Sequence, residues 1–283
     1  MALNKRLALK YIRTKLTFLS RLSKRKAAEE AFTLFCTPQY RNKKEPSAIF
    51  SKAEVINFTF QDYQIVGYRW NSQGHKKVLI LHGFESSIVN FDRYIQPLID
   101  KDFCVLGFDG PAHGRSSGKT VNVLIYKQFI ETINQLYGPI DCFIAHSLGG
   151  LALSLVLEEW KNSEAVKAAI IAPATETKTA IDFLFSLLKL DRGVRTEFDK
   201  LIREKSGNPA EWFSITRAAK NIRAQVLWLH DEDDDMTPLK DSEPVRKANY
   251  PNFRFHITKG LGHRRIYRDN AVAQTIIDFL SDK

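Results

Sequence analysis

The pattern of apolar and polar positions divides the chain into a helical beginning and a long remainder of strands and helices. Within the first 26 residues an apolar stripe recurs at helical spacing, and basic side chains lie opposite it. The stripe consists of Leu3, Leu7, Tyr11, Phe18 and Leu22, and the opposite side carries Arg6, Lys10, Arg13 and Lys24. A second helix is predicted over 26–35 and should end before Pro38, because proline disfavours helical geometry in the preceding residue. The polar residues 39–53 are predicted to form a linker.

From residue 54 onward the pattern is that of strands alternating with helices. The predicted strands are 55–60, 64–70, 77–81, 103–108, 141–145, 166–172, 225–229 and 253–257, of which the first two form an antiparallel hairpin. Helices are predicted near 91–99, 121–137, 149–160, 239–248 and 271–280. Short continuous apolar runs separated by helices are typical of a parallel sheet covered on both faces. We therefore predict an α/β fold with a mostly parallel, doubly wound sheet of about eight strands.

The alternation stops between residues 174 and 224. This insertion has helical character and separates two predicted strands, so we expect it to form a small helical lid. It contains an apolar stripe that either lines an acyl pocket or packs the insertion against the body, formed by Phe183, Leu184, Phe185, Leu187 and Leu188. The expected organisation is a basic helical extension with its linker at 1–53, an α/β core at 54–173 and 225–283, and the lid at 174–224.

The net charge of +10 is concentrated in residues 1–26, which carry nine Lys and Arg and no acidic residue. Without these nine, the 42 basic residues of the chain fall to 33, against 32 Asp and Glu. The remainder is therefore nearly neutral, which argues against nucleic acid as a partner. Three hypotheses for residues 1–26 stay open: weak contact with an anionic membrane surface, a segment that mimics a transit peptide, or a helix that docks on the body and directs its charges into water.

The cysteines favour a reducing compartment. Cys36, Cys104 and Cys142 are scattered and form no Cys-x-x-Cys pair, so neither a disulfide framework nor a zinc site is indicated. No apolar run reaches the roughly 18–20 residues of a membrane span, and the N-terminus lacks the apolar stretch of a secretory signal. We therefore expect a cytoplasmic protein, and its oligomeric state is left open.

Ser147 is the first candidate for chemistry. It lies between a predicted strand and a predicted helix, with small residues two positions away on either side, Ala145 and Gly149. A sharp strand-to-helix turn of this kind exposes its central side chain and has no room for bulk at the flanking positions. The alternative is that Ser147 merely caps the helix, a position where serine is favoured in any case.

A carboxylate and a histidine follow two later strands. Residues 231–235 contain four Asp and one Glu after the strand 225–229, and His263 follows the strand 253–257. A serine hydroxyl needs a base to remove its proton, and the imidazole base needs a carboxylate to orient it. The chain order Ser, Asp, His on a parallel sheet supplies both at the edge that carries Ser147.

Four segments resemble motifs of the α/β-hydrolase superfamily, and the resemblance extends over about residues 54–283. Residues 81–84 (LHGF) resemble its oxyanion loop, and 109–116 (DGPAHGRS) resemble its D-x-P-G-H-G-x-S turn. Residues 145–149 (AHSLG) resemble the nucleophile elbow, and 230–238 (HDEDDDMTP) resemble the H-G-x-x-D-x-x-V-P segment after the seventh strand. Ala112 and Ala145 stand where the family has glycine, which is the smallest change these turns could carry.

The resemblance assigns roles to individual residues. It implies Ser147 as nucleophile, His263 as general base and Asp234 as the carboxylate, with Asp233 and Asp235 as alternatives to Asp234. It also implies that the backbone N–H groups of Phe84 and Leu148 form the oxyanion hole. Substrate-pocket candidates are Glu85, Phe183 and Leu187, with an ordinary loop carboxylate as the other interpretation of Glu85.

The function predicted from these residues is that of a serine hydrolase that cleaves a carboxylic ester or thioester through an acyl-enzyme on Ser147. The partner is then a small-molecule ester or acyl compound, and no cofactor is implied. The histidines 82, 113, 146 and 230 lack metal-ligand spacing, so no metal site is expected. The alternatives are an acyltransferase or C–C bond hydrolase with the same triad, and a non-catalytic ligand-binding member of the fold.

Overall fold

A computed structural model of the chain describes residues 3–42 and 44–282, with side chains from residue 6 onward. In this part of the chain eight strands form one sheet, in the order β1-β2-β4-β3-β5-β6-β7-β8. The strands are β1 Glu54–Phe60, β2 Tyr63–Trp70, β3 Lys76–Leu81, β4 Phe103–Phe108, β5 Cys142–His146, β6 Lys167–Ile171, β7 Gln225–Asp231 and β8 Phe253–Thr258. The pairs β1–β2 and β2–β4 are antiparallel and the other five are parallel. The predicted α/β class with a mostly parallel sheet is confirmed.

Eleven α-helices lie before, between and after the strands in the described part of the chain. They are α1 Leu3–Leu22, α2 Lys24–Phe35, α3 Asp92–Asp100, α4 Val123–Tyr137, α5 Leu148–Leu157, α6 Thr177–Leu188, α7 Arg192–Ser206, α8 Ile215–Ala218, α9 Glu243–Ala248, α10 Gly262–Arg265 and α11 Asn270–Ser281. In α5 all nine residues 149–157 are buried, because this helix is apolar on every side and lies within the core. Its apolar surroundings fix where the chain emerges from β5, and therefore the position of Ser147.

The parallel strands bring the chemically interesting loops to one edge. The loops that follow β3, β4, β5, β7 and β8 all leave the carboxyl ends of strands that are neighbours in the sheet. In open α/β sheets this is the edge where ligands bind. The four motif segments and His263 lie in or beside these loops.

The chain divides into two compact units by its internal contacts. One comprises Met1–Thr37, of which residues 3–37 are described, with Glu176–Ser214, and the other comprises Pro38–Thr175 with Ile215–Lys283, described to residue 282. The N-terminal helices α1 and α2 therefore group with α6 and α7, although some 140 residues of chain separate them. The predicted linker 39–53 and the residues 215–224 group with the sheet.

In the helical unit, aromatic rings and ion pairs hold α2 against α6 and α7. The ring of Phe198 lies at the centre, with the ring centroids of Phe32 at 5.7 Å and Phe185 at 5.2 Å. Lys24 Nζ lies 2.7 Å from Asp191 Oδ2, and the Arg25 guanidinium reaches Glu204 Oε2 at 2.5 Å. The role of residues 174–224 as a lid stays a prediction.

The sulfur chemistry is simple. Cys36, Cys104 and Cys142 are all buried and unpaired. Burial raises the pKa of Cys36 and Cys142 to about 12, so these thiols stay protonated and behave as small apolar side chains. Within the described residues, no helix has both the length and the apolar content to cross a bilayer.

Candidate active site

Ser147 lies in a strained turn between β5 and α5. Its backbone has φ +53° and ψ −117°, a conformation that residues with a side chain rarely adopt. The Ser147 side chain makes no capping hydrogen bond to α5. The alternative interpretation of Ser147 as a helix cap therefore does not describe this turn, and the hydroxyl is directed elsewhere.

Close approach of the backbone explains the small residues around Ser147. A Cβ on Gly149 would lie 2.8 Å from the carbonyl oxygen of His82 and 3.0 Å from that of Leu81, both fixed at the end of β3. A Cβ on Gly83 would lie 2.8 Å from the Ser147 Cβ. The loop after β3 therefore runs directly against the Ser147 turn, and glycine is needed at both contacts.

Ser147, His263 and Asp234 form a continuous chain of hydrogen bonds. The Ser147 hydroxyl lies 3.1 Å from His263 Nε2, and His263 Nδ1 lies 2.9 Å from Asp234 Oδ2. All three residues are buried, with 8%, 6% and 6% of their surface exposed. With the proton on Nδ1, where it can be donated to the carboxylate, Nε2 is free to accept the serine proton.

Asp234 is held ionised by its surroundings. Burial alone would raise its pKa, but the hydrogen bond from His263 and the positive charge that His263 can carry outweigh it and lower the pKa. The backbone N–H groups of Thr237 and Met236 donate to Asp234 Oδ1 at 2.8 and 2.9 Å and act in the same direction. A carboxylate with this many donors stays charged at neutral pH and can stabilise an imidazolium.

The neighbouring aspartates point elsewhere. Asp233 is exposed, and its Oδ2 accepts a hydrogen bond from the backbone N–H of Gly260 at 3.0 Å. Asp235 is also exposed. Of the three aspartates that the sequence left as candidates, Asp234 is the one that the fold brings to His263.

Asp231 is a residue of this site that sequence reasoning did not single out. Its buried carboxylate accepts hydrogen bonds from the backbone N–H groups of Leu261 and Gly262, at 3.0 and 2.8 Å, and from the Thr258 hydroxyl at 2.7 Å. Burial would raise its pKa, but these donors outweigh it and lower the pKa. Asp231 therefore ties the end of β7 to the loop that carries His263.

Thr237 also joins the chain of hydrogen bonds. Its hydroxyl donates to Asp234 Oδ2 at 2.9 Å and lies 3.0 Å from His263 Nδ1. Its position directly before Pro238 in the fourth motif segment was visible in the sequence, but the direction of its side chain was not. Thr237 therefore helps to fix the positions of the carboxylate and the imidazole relative to each other.

His146 packs against the imidazole of His263. Its ring centroid lies 4.7 Å from that of His263 and 4.4 Å from that of Tyr267. His146 Nε2–H donates to the backbone carbonyl of His263 at 3.0 Å, and burial together with the neighbouring His263 lowers its pKa well below the usual value. His146 is thus a neutral side chain that supports the loop of His263 from the Ser147 side.

Two further histidines fix the loops after β3 and β4. His82 donates from Nδ1 to the carbonyl of Gly83 at 2.8 Å and accepts at Nε2 from the N–H of Gly110 at 2.8 Å. His113 accepts at Nε2 from the N–H of Glu85 at 3.0 Å. Burial lowers the pKa of His82 to about 4, and burial with the nearby His82 lowers that of His113 to about 3. Both side chains are neutral, and their hydrogen bonds join the loop after β3 to the loop after β4.

Asp109 secures the turn after β4. Its carboxylate accepts hydrogen bonds from the N–H groups of Ile88 and Arg115, at 3.0 and 2.8 Å, and burial raises its pKa. Ala112 in the same turn has φ +66°, the left-handed conformation that favours glycine. The family's preference for glycine at this position therefore has a local cause, and Ala112 adopts the same turn at some cost in strain.

Phe84 and Leu148 follow Gly83 and Ser147 respectively. Neither backbone N–H donates to a backbone carbonyl in the described part of the chain. Leu148 is the first residue of α5, where the helix leaves N–H groups without an intrahelical acceptor and carries the positive end of its dipole. Both donors have the chemistry that an oxyanion site requires.

The predicted pocket residues are less clearly tied to chemistry. The Glu85 carboxylate accepts a hydrogen bond from the N–H of Gln39 at 2.9 Å and lies 3.9 Å from the Arg264 guanidinium. Phe183 and Leu187 are exposed on α6, whereas Phe185 and Leu188 of the same apolar stripe are buried. The stripe therefore has two faces, and a role of Glu85, Phe183 and Leu187 in substrate binding stays a prediction. Among the described residues, no group of three or more His, Cys, Asp or Glu side chains could hold a metal ion.

The chain is similar to several known proteins. The model of a family described as serine aminopeptidase, S33, matches residues 72–206. The uncharacterised protein YqkD of Bacillus subtilis is 22% identical over 240 residues, which are 78% of this chain and 76% of that protein.

Solved structures resemble it over most of their length. An esterase of Pyrococcus furiosus superimposes with a TM-score of 0.64 at 19% identity, covering 86% of this chain and 95% of that one. A thioesterase domain from the curacin biosynthetic pathway superimposes with a TM-score of 0.59 at 16% identity, covering 80% and 99%. Together with the sheet order, these matches show that the chain has the α/β-hydrolase fold.

Proposed function

We propose that the protein is a serine hydrolase that cleaves a carboxylic ester or thioester of apolar acyl character. The observation that carries this proposal is the hydrogen-bonded chain from the Ser147 hydroxyl through His263 to Asp234. An esterase and a thioesterase domain among the structurally similar proteins support an acyl compound as the substrate.

The first half of the reaction forms an acyl-enzyme. Ser147 Oγ attacks the substrate carbonyl while His263 Nε2 takes the hydroxyl proton, and Asp234 stabilises the imidazolium that results. The backbone N–H groups of Phe84 and Leu148 donate to the oxyanion, and a single such donor is typically worth about 3–4 kcal/mol in the transition state. The tetrahedral intermediate collapses when His263 returns the proton to the leaving alcohol or thiol, which leaves the acyl group on Ser147.

The second half releases the acid. His263 removes a proton from a water molecule, whose oxygen attacks the acyl carbonyl, and the same N–H donors stabilise the second oxyanion. The proton then passes from His263 to Ser147 Oγ as the acyl bond breaks. The products are a carboxylic acid and the restored serine, and the proton transfers use Ser147 and His263, which lie within hydrogen-bonding distance of each other.

The test is hydrolysis of chromogenic esters and thioesters of graded acyl length by the wild type and by Ser147→Ala. We expect measurable turnover by the wild type and a loss of about 10³-fold or more in kcat for Ser147→Ala, since the residual rate comes from binding and oxyanion donors alone. A rate that is unchanged by the substitution would contradict the proposal. If neither form turns over any member of the panel, a ligand-binding role for the fold is favoured instead.

The acyl length preference addresses the predicted pocket residues separately. If Phe183 and Leu187 line the acyl pocket, Phe183→Ala should raise KM for long acyl chains and leave short ones unaffected, because a long chain buries more apolar surface against the pocket lining than a short one. An equal effect on KM for all acyl lengths would show that Phe183 and Leu187 do not line the acyl pocket. It would leave the role of Ser147 untouched.

A further inference from the structure

The N-terminal helix α1 has two apolar faces. One face packs within the helical unit, where Leu16 is fully buried and Ile12 and Leu19 are partly buried. The other face is exposed: Leu7, Tyr11, Phe18 and Leu22 expose 57%, 70%, 62% and 69% of their surface. We call these four residues the outer stripe.

The outer stripe follows one side of the helix. Successive helical residues advance by about 100° and 1.5 Å, so these four side chains lie within an arc of roughly 60° and extend over about 22 Å. Leu16 lies about 150° away from the middle of that arc, on the opposite side of the helix. An exposed apolar row of this length needs an explanation, because contiguous apolar surface outside the core usually marks an interaction site.

The basic residues of the N-terminal segment fall into two groups. The first group has partners inside the helical unit. Lys15 lies 2.5 Å from Glu30, Lys24 and Arg25 pair with Asp191 and Glu204, and the Arg13 guanidinium donates to the carbonyl oxygen of Leu187 at 2.6 Å. These charges are used for packing and are not available to an external partner.

The second group is free. Arg6, Lys10, Arg21 and Lys26 are exposed and form no ion pair with any described residue. Lys10 and Arg21 both border one side of the outer stripe, at roughly 70–90° from its middle at the helical advance per residue. The segment 1–26 contains no acidic residue that could neutralise them.

A partner for this surface must offer an apolar layer bordered by negative charge. We propose that α1 lies on the surface of an anionic bilayer, with the outer stripe in the acyl-chain boundary and with Lys10 and Arg21 against the headgroups. A second copy of the chain fits less well, since pairing two outer stripes would bring the unpaired basic residues together without acidic partners. Nucleic acid also fits less well, because its phosphates would pair with the basic residues and leave the four apolar side chains of the outer stripe in water.

The test is co-sedimentation of the full chain with vesicles of phosphatidylcholine, with and without phosphatidylserine. We expect binding to the anionic vesicles that weakens as salt is raised, and little binding to the neutral ones. Tyr11→Ser with Phe18→Ser removes half of the outer stripe, and Lys10→Glu with Arg21→Glu reverses the flanking charges. Each pair should lower the partition coefficient by about tenfold or more.

Matched controls separate the outer stripe from general effects of charge and apolarity. Lys52→Glu with Lys119→Glu changes the net charge equally at exposed positions outside the helical unit, and Leu136→Ser removes another exposed apolar side chain. These controls should bind like the wild type, and all variants should keep the wild-type Tm, since the changed side chains are exposed.

Three outcomes would overturn the proposal. The first is that both α1 variants bind anionic vesicles as well as the wild type. The second is that the outer-stripe variant leaves vesicle binding unchanged and converts a dimer into a monomer. The third is that the intact protein binds duplex DNA in a salt-dependent way and ignores the vesicles. A selective loss in both α1 pairs, with the controls unaffected, would support it.

Discussion

The turn that carries Ser147 and the loops that carry Asp234 and His263 hold their side chains by different means. The Ser147 turn depends on close contact: its backbone is strained, and Gly149 and Gly83 leave no room for a Cβ. The loops after β7 and β8 depend on hydrogen bonds, chiefly to the carboxylates of Asp231 and Asp234. The first arrangement should fail when volume is added, and the second when an acceptor is removed.

The largest effect is expected at Asp234, whose carboxylate is hydrogen-bonded to the imidazole of His263. Asp234→Asn should lower kcat/KM by about 10³–10⁴-fold, because an amide cannot stabilise the imidazolium and can hold the wrong tautomer. Asp233→Asn is the matched control, one residue away and exposed, and should remain near wild type. Steady-state kinetics of both variants on one ester tests the assignment of Asp234 as the carboxylate that orients His263. A larger loss of kcat/KM in Asp233→Asn would assign that role to Asp233 instead.

Added volume at the Ser147 turn should have the next largest effect. Gly149→Ala places a Cβ against two backbone carbonyls, which cannot move as a flexible side chain can. We expect about 1–3 kcal/mol of destabilisation from the overpacking and about a 100-fold fall in kcat from displacement of Ser147.

Gly193→Ala is the same change in α7, where the Cβ meets flexible side-chain atoms of Asp191 and Lys24 at 3.1 and 3.3 Å. It should be close to neutral in urea unfolding and in kinetics. If Gly149→Ala were equally neutral, close packing would not be what holds the Ser147 turn.

Removing charge from Asp231 tests the hydrogen-bonded loops. Asp231→Asn offers one acceptor oxygen in place of a carboxylate and turns an amide toward N–H donors, which should cost about 1–3 kcal/mol at pH 7. The folded state lowers the pKa of Asp231, so its contribution is fully present above the unfolded value of about 3.9 and is lost as pH falls through the folded pKa.

Urea unfolding of the wild type and Asp231→Asn between pH 7 and pH 3 measures this contribution. The difference in unfolding free energy should be constant above about pH 5 and should shrink below about pH 4. A difference that grows as the pH falls would contradict the assigned direction. The kcat of the variant should fall by about tenfold, because the loop of His263 loses two of its anchors.

The smallest effect concerns strain in the turn after β4. Ala112→Gly should raise the unfolding free energy by about 1 kcal/mol or less, since glycine adopts φ +66° without a Cβ penalty. Ala152→Gly in the middle of α5 is the control and should destabilise by about 1 kcal/mol. Thermal unfolding distinguishes the two, and a destabilised Ala112→Gly would mean that the turn is not strained.

The same contrast explains what the sequence could predict. Small residues around Ser147 and the order of the later loops are local patterns, so they are enough to predict the sheet class and to propose Ser147 and His263. The choice of Asp234 among its neighbouring aspartates required the resemblance to the family motif. The role of Asp231 could not be predicted, because its partners lie 27–31 positions further along the chain and are mostly backbone groups. Every residue except proline has a backbone N–H group, so the residue type of the donor does not reveal that such a hydrogen bond forms.

The helical unit shows a second limit of sequence patterns. The periodicity of residues 3–22 correctly predicts a helix, and it identifies the stripe of Leu7, Tyr11, Phe18 and Leu22. Which side of α1 packs could not be predicted, since Ile12, Leu16 and Leu19 form a second apolar face on the same helix. The choice is made by α2 and α6, which pack against α1. The ion pair between Lys24 and Asp191, 167 positions apart, joins the start of α2 to the start of α7.

The most direct test of the central claim is covalent capture of the nucleophile. After reaction with a fluorophosphonate, peptide mapping by mass spectrometry should find one phosphonyl adduct on the peptide that contains Ser147. Adduct formation should be lost in Ser147→Ala and strongly slowed in His263→Ala, because the serine then lacks its base. An adduct on another residue, or wild-type labelling of Ser147→Ala, would contradict the assignment of Ser147 as the nucleophile.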